Sequence, residues 1–335
     1  MHSASNARLA SLSTLGFGAA PLGNLYTQVG DEDAHAALAA AWENGIRYFD
    51  TAPYYGHGLS ERRLGEAFAA WPREKFAVST KVGRVIEKDA TRSAQINDGF
   101  AVSGSSAVFD YSADGVRRSF EASLKRLRLE RIDILLLHDI GSLTHGAKHQ
   151  AVLRQALDEA LPAMARLREE GLVGAIGLGV NEQEVCLDVL PHFDLDCIML
   201  AGRYTLLEQD RSRELMQLAL ARHVKILVAG PYNSGLLASA SAPGATYDYA
   251  PVDAATLARA RSIYDACAAE GVDVGAAALQ FPLAHPAVGT VVAGMRSSAE
   301  VLSAAARRDA AIPATLWRRL QAAGMLPSDA ALPAS

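Results

Sequence analysis

Cysteine is scarce in this chain: Cys186, Cys197 and Cys267 are the only three in 335 residues, and no two form a CxxC pair. That spacing argues against a zinc site or a disulfide framework and leaves buried free thiols as the expectation. Positive charge is not in excess either. The 32 Lys and Arg stand against 37 Asp and Glu, a formal net charge of -5, so the electrostatic footprint of a nucleic-acid partner is missing. The small basic cluster Arg126, Arg128 and Arg131 reads as a solvated helix end. No apolar stretch reaches the roughly 18 uninterrupted residues of a spanning helix. The polar segment 1–14 has no apolar h-region, so a cytoplasmic protein with no membrane partner is expected. A Rossmann fingerprint is absent as well, because Gly16-Phe17-Gly18-Ala19-Ala20-Pro21 breaks the G-x-G-x-x-G pattern at its third glycine. His145 and His149 stand four apart but have no third ligand in register, so no metal is expected there.

What the chain does have is apolar side chains, 50% of the total, enough for a sizeable core in one α/β barrel of this length. Short β-rich runs at 15–19, 46–51, 76–81, 132–138, 173–179, 197–201, 225–230 and 290–294 alternate with helical patterns. That alternation is the signature of repeated βα units, and eight strands is the number that closes a barrel. Helices are expected at 31–44, 113–129, 157–170, 211–222, 254–269, 274–284 and 299–307. The first stops at Gly45 and the third at Gly171, as helix-end chemistry favours. One connection, 82–112, is long and rich in Gly, Ser, Asp and Asn. Loops of that length are commonly functional, and this one is read as a substrate cover. A second, 237–253, is expected to flank the same mouth. No linker divides the chain, so residues 1–335 are expected to form one barrel domain.

Three of the apolar runs end on ionisable residues. Phe49-Asp50-Thr51-Ala52-Pro53-Tyr54-Tyr55-Gly56 follows the second, Ser79-Thr80-Lys81 closes the third, and Leu135-Leu136-Leu137-His138 closes the fourth. The C-terminal mouth of parallel strands is where α/β folds place their chemistry. Asp, Tyr, Lys and His gathered there can form a proton-transfer site around a tyrosine. A free phenol titrates near pH 10 and is a poor base at neutral pH. The Lys81 ammonium is expected to lower the pKa of Tyr55, and Asp50 to hold that ammonium charged and in place.

At these residues the chain resembles the aldo-keto reductase family, over about 15–306. The match Asp50-Thr51-Ala52-x-x-Tyr55-Gly56, then Ser60-Glu61-x-x-Leu64-Gly65, is specific. The resemblance implies a (β/α)8 TIM barrel with long loops at its C-terminal mouth, a nicotinamide cofactor extended across that mouth, and hydride transfer at a carbonyl or carbinol carbon. It also implies Tyr55 as general acid/base and His138 as the residue that orients the substrate oxygen. Asp139 departs from the aromatic residue many members carry and is expected to change the pocket wall.

For the cofactor, the resemblance places Gly18 and Ala19 under the nicotinamide ribose and Asn181 on the carboxamide, although Val180 replaces the usual preceding serine. Ala201 and Ala229 stand where a glutamine and a ring-stacking tyrosine are usual, and Tyr232 or Tyr204 is expected to compensate. Pro231, Asn233, Ser234 and Leu236 match the pyrophosphate loop. Gly294, Arg296 and Glu300 match the helix entry at the adenosine end. A carboxylate at 300 favours the 2′-hydroxyl of NAD over the 2′-phosphate of NADP, while Arg296 leaves NADP possible. The combination of Pro21-Leu22-Gly23-Asn24-Leu25-Tyr26 with His57-Gly58-Leu59-Ser60-Glu61 looks most like one branch of the family. That branch comprises L-fucose (D-threo-aldose) 1-dehydrogenase, L-galactose dehydrogenase and pyridoxal 4-dehydrogenase. The partner it implies is a small sugar or aldehyde. L-fucose or a related aldose is the first choice, met by Asn97, Asp98, Ser103, Ser105 and Ser106. Pyridoxal, a general aldehyde or ketone, or a cofactor-sensing role without turnover are the alternatives.

Overall fold

Eight apolar runs, each covered on both faces, become eight parallel strands. The computed structural model describes residues 9, 11–92, 95–97, 99–238, 246–247 and 250–333. Its strands β1 (Leu15–Gly18), β2 (Tyr48–Asp50), β3 (Ala77–Val82), β4 (Ile132–His138), β5 (Val173–Val180), β6 (Cys197–Ala201), β7 (Lys225–Ala229) and β8 (Val288–Gly294) pair in sequence order. β8 then pairs with β1, Leu15 opposite Val291 and Gly18 opposite Gly294, closing the barrel. The expected (β/α)8 architecture is therefore present. Strand β4 is buried at every position, which is why it reads as a continuous apolar run rather than an alternation.

The two faces of each strand have different fates. Phe49, Val78, Val82, Leu135 and Leu137 join the large core between barrel and helices. Tyr48, Ile134 and Leu136 belong to the cluster inside the barrel, with Cys197, Met199, Leu227 and Val292. Because side chains alternate along a strand, the inward row that starts at Tyr48 continues to Asp50. The row through Ile134 and Leu136 continues to His138, and the row through Ser79 continues to Lys81. All three ionisable groups thus reach the interior at the same end. The barrel's own period delivers them.

The main helices are α1 (Asp31–Glu43), α2 (Leu59–Phe68), α3 (Ala113–Leu127), α4 (Leu161–Glu169), α5 (Glu184–Val189), α6 (Arg213–Ala221), α7 (Ala254–Ala269), α8 (Val274–Gln280), α9 (Ser298–Asp309) and α10 (Ala314–Ala322), and two short ones, Ser142–His145 and His149–Gln155, lie between β4 and α4. Side-chain caps start several of them: Ser112 accepts from the Gly115 N–H at α3, and Asp253, Asp273 and Ser297 do the same at α7, α8 and α9. Each cap satisfies an otherwise orphaned N–H. Helices α2, α5 and α10 were not foreseen, since α5 is short and α2 is hidden in the family motif. The helix expected at 157–170 is present, its first turn a π-turn, Ala156–Ala160, that leads into α4.

The 82–112 connection is not the open loop its composition suggested. Arg84–Lys88 pairs antiparallel with Ser105–Phe109, and Gln95–Asn97 with Phe100–Val102, so the segment is a two-step hairpin arm. Its inner end folds back on the mouth through a bridge between Leu25 and Phe100 and a bond from the Tyr26 N–H to the Gly99 carbonyl, 2.7 Å. Of the other loop, Thr246–Tyr247 pairs with Ala250–Pro251, and most of the rest lies outside the described residues. The three cysteines are free and buried, as expected. Among the described residues no helix is long and apolar enough to cross a membrane.

Candidate active site

Two glycines make room for the central tyrosine. A Cβ on Gly23 would lie 2.5 Å from the Tyr55 carbonyl carbon, and one on Gly56, at φ +63°, would lie 2.4 Å from the Gly23 oxygen. The turn carrying Tyr55 therefore sits backbone-to-backbone on the segment after β1. Much of the family motif serves this seating rather than chemistry. Ser60 donates to the Ala19 carbonyl at 2.7 Å and shares a bond with Thr51 at 2.8 Å. Fully buried Glu61 accepts from Thr80 at 2.7 Å and from Arg126 at 2.6 Å. Arg126 is thus a structural ion-pair partner and not part of a solvated helix end. A Cβ on Gly65 would strike the Arg126 carbonyl at 2.4 Å, so α2 and α3 touch by backbone.

Above that base, Lys81 and Asp50 form a buried pair. Lys81 Nζ donates to both Asp50 oxygens at 2.9 and 2.8 Å and to the Thr51 carbonyl at 2.9 Å. Ser79 donates to the same carboxylate at 2.7 Å and is itself bonded to the Tyr48 hydroxyl at 2.8 Å. Residues Ser79 and Tyr48 escaped the sequence reading, although Ser79 lies two residues before Lys81, on the same strand face. Lys81 reaches the centre along Gly179, where a Cβ would come within 3.2 Å of Lys81 Cε. Its ammonium lies 4.8 Å from the centre of the Tyr55 ring and acts on the phenol by charge and hydrogen bond. His138 meets Tyr55 edge-on, with ring centres 6.2 Å apart and planes at 85°. The four residues picked out at strand ends are therefore neighbours in space.

Their protonation states follow from burial. Desolvation pushes the Tyr55 phenol up, Lys81 pulls it down, and Asp50 and Asp139 push it up again; the net shift is upward. Lys81 acts in the expected direction, but burial outweighs it. The expected lowered phenol is corrected to a raised one, whose charged form is taken out of water with no full compensation. For Lys81, burial pulls down, yet Asp50 and Tyr55 push harder and the ammonium is held charged. His138 is held well below its ordinary value by burial, then by Arg84 and Lys81, so its imidazole is neutral.

Beside these groups opens a cleft of about 710 Å³ lined by Gly18, Asp50, Tyr55, Asn181, Asn233, Ser234, Gly294, Arg296 and Glu300, among others. Three residues expected there are elsewhere. Ala19 is fully buried, its N–H donating to the Asp50 carbonyl at 2.8 Å. Pro231 is buried, and Leu236 packs into the apolar cluster with Leu206 and Phe281. Tyr232 lines the cleft, whereas Tyr204 stacks on Phe281 at 5.8 Å in a separate cavity and cannot compensate for Ala229. The arm's Phe100 stacks on Tyr55, ring centres 5.9 Å apart and planes at 24°. Its polar residues already have partners: Ser105 ties the arm to His57 on the turn that carries Tyr55, at 2.9 Å, and Ser106 bonds Asp89 within the arm at 2.6 Å. Ser103 is exposed. Asp98 and the Asn97 side chain lie outside the described residues. His145 is not merely solvated either, since it bonds the Tyr111 hydroxyl at 2.9 Å and the Asp139 carbonyl at 2.8 Å. Among the described residues no group of three acidic, His or Cys side chains could hold a metal ion.

A closed barrel with this cleft at its mouth has known relatives in sequence and in fold. The model of the aldo/keto reductase family matches residues 14–324, and the chain belongs to that family. It is 39% identical over 329 residues to pyridoxal 4-dehydrogenase of Microbacterium luteolum, covering 94% of this chain and 95% of that one. It is also 39% identical over 323 residues to D-threo-aldose 1-dehydrogenase of a Pseudomonas species, covering 95% and 96%. An aldo-keto reductase of Bacillus halodurans in its holo form superposes with a TM-score of 0.71 at 26% identity, over 93% and 92% of the two chains. The protein is an oxidoreductase acting on CH–OH groups, and its family works with NAD(P)(H).

Proposed function

We propose that this chain oxidises the anomeric CH–OH of a cyclic aldose, L-fucose or a relative of the same shape, to the lactone, with NAD as preferred cofactor. The observation that carries the reading is the Asp50–Lys81 pair, both partners almost fully buried, set against a cleft-lining tyrosine with a neutral histidine edge-on to it. Nicotinamide, when bound, supplies the acceptor for the hydride that leaves the carbon. This chain's residues handle the proton and the geometry. The Tyr55 oxygen, once ionised, takes the proton of the reacting hydroxyl, and the neutral His138 imidazole hydrogen-bonds that oxygen and holds it in place. Lys81 stabilises the phenolate, and Asp50 fixes the ammonium so that it need not reorient as charge develops. In the reverse direction the phenol returns the proton to a carbonyl oxygen. Because burial keeps Tyr55 protonated near neutrality, oxidation is expected to accelerate as pH rises.

The cleft's residues fit the cofactor. Backbone at Gly18, Gly202, Gly230 and Gly294 forms a wall with no side chains, and the Asn233 Oδ1, buried without a hydrogen-bond partner, is free for a ligand donor. Asn181 would take the carboxamide and the Ser234 hydroxyl the pyrophosphate, while the Asn233 Oδ1, an acceptor, would meet a cofactor O–H or N–H rather than a phosphate oxygen. Ala19, Pro231 and Leu236 would support this wall from behind. Glu300 favours NAD: its carboxylate already pairs with Arg296 at 3.0 Å and accepts from the Arg296 N–H at 2.8 Å. A 2′-phosphate would have to break that pair.

Pyridoxal is the second reading, favoured by the 39% identity to pyridoxal 4-dehydrogenase of Microbacterium luteolum. The experiment is a screen of aldoses and pyridoxal with NAD+ and NADP+, following nicotinamide absorbance. Turnover of L-fucose or a close aldose with NAD+ supports the first reading, and turnover of pyridoxal alone replaces it. A thermal shift with NAD+ but no turnover of any CH–OH compound would point to cofactor sensing.

A further inference from the structure

Asp139 is an ionisable group at the mouth that the mechanism above does not use. Its backbone turns at φ +50°, a left-handed conformation that Asp tolerates better than most residues. The turn is held from behind: the Asp139 N–H donates to the Gly179 carbonyl at 3.0 Å, and the Tyr111 hydroxyl lies 2.9 Å from the Asp139 carbonyl and 3.0 Å from that of His138. The carboxylate then faces three groups at once. Oδ2 accepts from Arg84 Nη2 at 2.7 Å and lies 3.4 Å from His138 Nε2, while Oδ1 accepts from Asn181 Nδ2 at 3.4 Å.

Arg84 is an unusual anchor. It is 7% exposed, and its Nε and Nη1 have no hydrogen-bond partner. The guanidinium is instead enclosed by rings, 3.9 Å from the centre of Tyr54 and 4.8 Å from that of Phe109. Buried donors left unbonded cost stability, and a buried ion pair is weak evidence for a stabilising role. What the enclosure does provide is immobility, since a cation clamped between two rings cannot follow its partner elsewhere.

We propose that Asp139, clamped by Arg84, is a positioning residue that holds the His138 imidazole and the Asn181 amide in one register, so that substrate oxygen and nicotinamide ring meet at a fixed angle. This rests on the reading that His138 holds the reacting oxygen and Asn181 the carboxamide. The carboxylate beside Nε2 favours the tautomer with its proton there, leaving an N–H to share with the substrate. Its charge also reaches the reacting centre. Tyr55 is faced by Lys81 from β3, by Asp50 from β2 and by Asp139 from the end of β4, and Asp139 in turn by Arg84, Lys81 and His145. Asp139 therefore opposes ionisation of Tyr55.

The test is Asp139→Asn, which keeps shape and removes charge. The kcat should fall by about 10- to 100-fold, the scale of a misplaced reacting pair, with little change in substrate KM. The rising limb of the oxidative pH–rate profile should move to lower pH, which a merely structural role would not produce. Arg84→Lys, which keeps charge but loses the planar clamp, should show the kcat loss without the acid shift, and serves if Asp139→Asn does not fold. Independently, ¹⁵N NMR of the ring nitrogens should show His138 protonated at Nε2 in the parent and shifted toward a mixture in Asp139→Asn. A limb that stays in place, or tautomer populations that do not change, overturns the proposal. The kinetics use whichever CH–OH compound the parent protein turns over and the NMR uses none, so failure of the aldose reading remains a separate result.

Discussion

The mouth of this barrel has two unlike walls. The side formed by the ends of β2, β3 and β4 is built from charge: Asp50, Lys81, His138 and Asp139, nearly all buried and all in polar contact. The side formed by the ends of β6, β7 and β8 is built from small side chains and bare backbone, Ala201, Gly202, Ala229, Gly230 and Gly294. The first wall works through fields and protons, where one lost atom matters. The second works through shape, where one added atom matters. Deleting on one wall and adding on the other should therefore separate chemistry from binding.

The largest effect is expected from Tyr55→Phe, which removes one oxygen from the charged wall. A positioned acid/base group is worth about a hundred- to ten-thousandfold in rate, so turnover should fall by that much while the thermal shift given by NAD+ persists. Full activity in this variant would erase the distinction between the walls. Lys81→Met comes next. It leaves Asp50 buried without its cation, which is expected to cost roughly 3 kcal/mol in a denaturation experiment. Because Lys81 is the group that pulls the Tyr55 phenol down, its loss should also move the rising limb of oxidation to higher pH. An unmoved limb would mean that the ammonium does not tune the phenol.

Beside the other wall, at the end of β1 opposite Gly294, Gly18→Val adds bulk where a Cβ would already lie 3.1 Å from the Ala293 carbonyl. Overpacking of this kind costs about 1–3 kcal/mol, so the KM for NAD+ should rise by about tenfold or more with the pH profile in place. A moved pH limb here would show that the two walls are coupled. The smallest change is expected from Glu300→Arg at the half-exposed rim of the cleft. The lost pair with Arg296 is a surface interaction worth about 1 kcal/mol or less. The ratio of kcat/KM for NADP+ over NAD+ should rise about fivefold, and a ratio that does not rise would remove Glu300 from cofactor choice.

The charged wall was largely legible beforehand because its residues announce themselves: Asp50, Lys81 and His138 each end an apolar run, and strand alternation turns a run's last inward position toward the mouth. The small wall was legible only through family resemblance, since alanine and glycine carry no chemical signal of their own. Ala19, Pro231 and Leu236, expected in the cleft, are buried and are not among its lining residues, and Tyr204 lines a separate cavity. The hairpin arm was missed because Gly and Ser dilute the alternation that marks a strand, and its pairing joins residues 84 and 109 across a turn no local pattern specifies.

By itself the sequence determined how many βα units there are, which way each strand faces and which ionisable groups arrive together at one end, because these follow from periodicities of a few residues. Only the tertiary structure decided their state. Whether Lys81 or burial wins at Tyr55, and whether Arg126 is solvated or locked to Glu61, both depend on how much water remains around a charge. Water is excluded by segments that are distant in the chain and adjacent only once the barrel has closed.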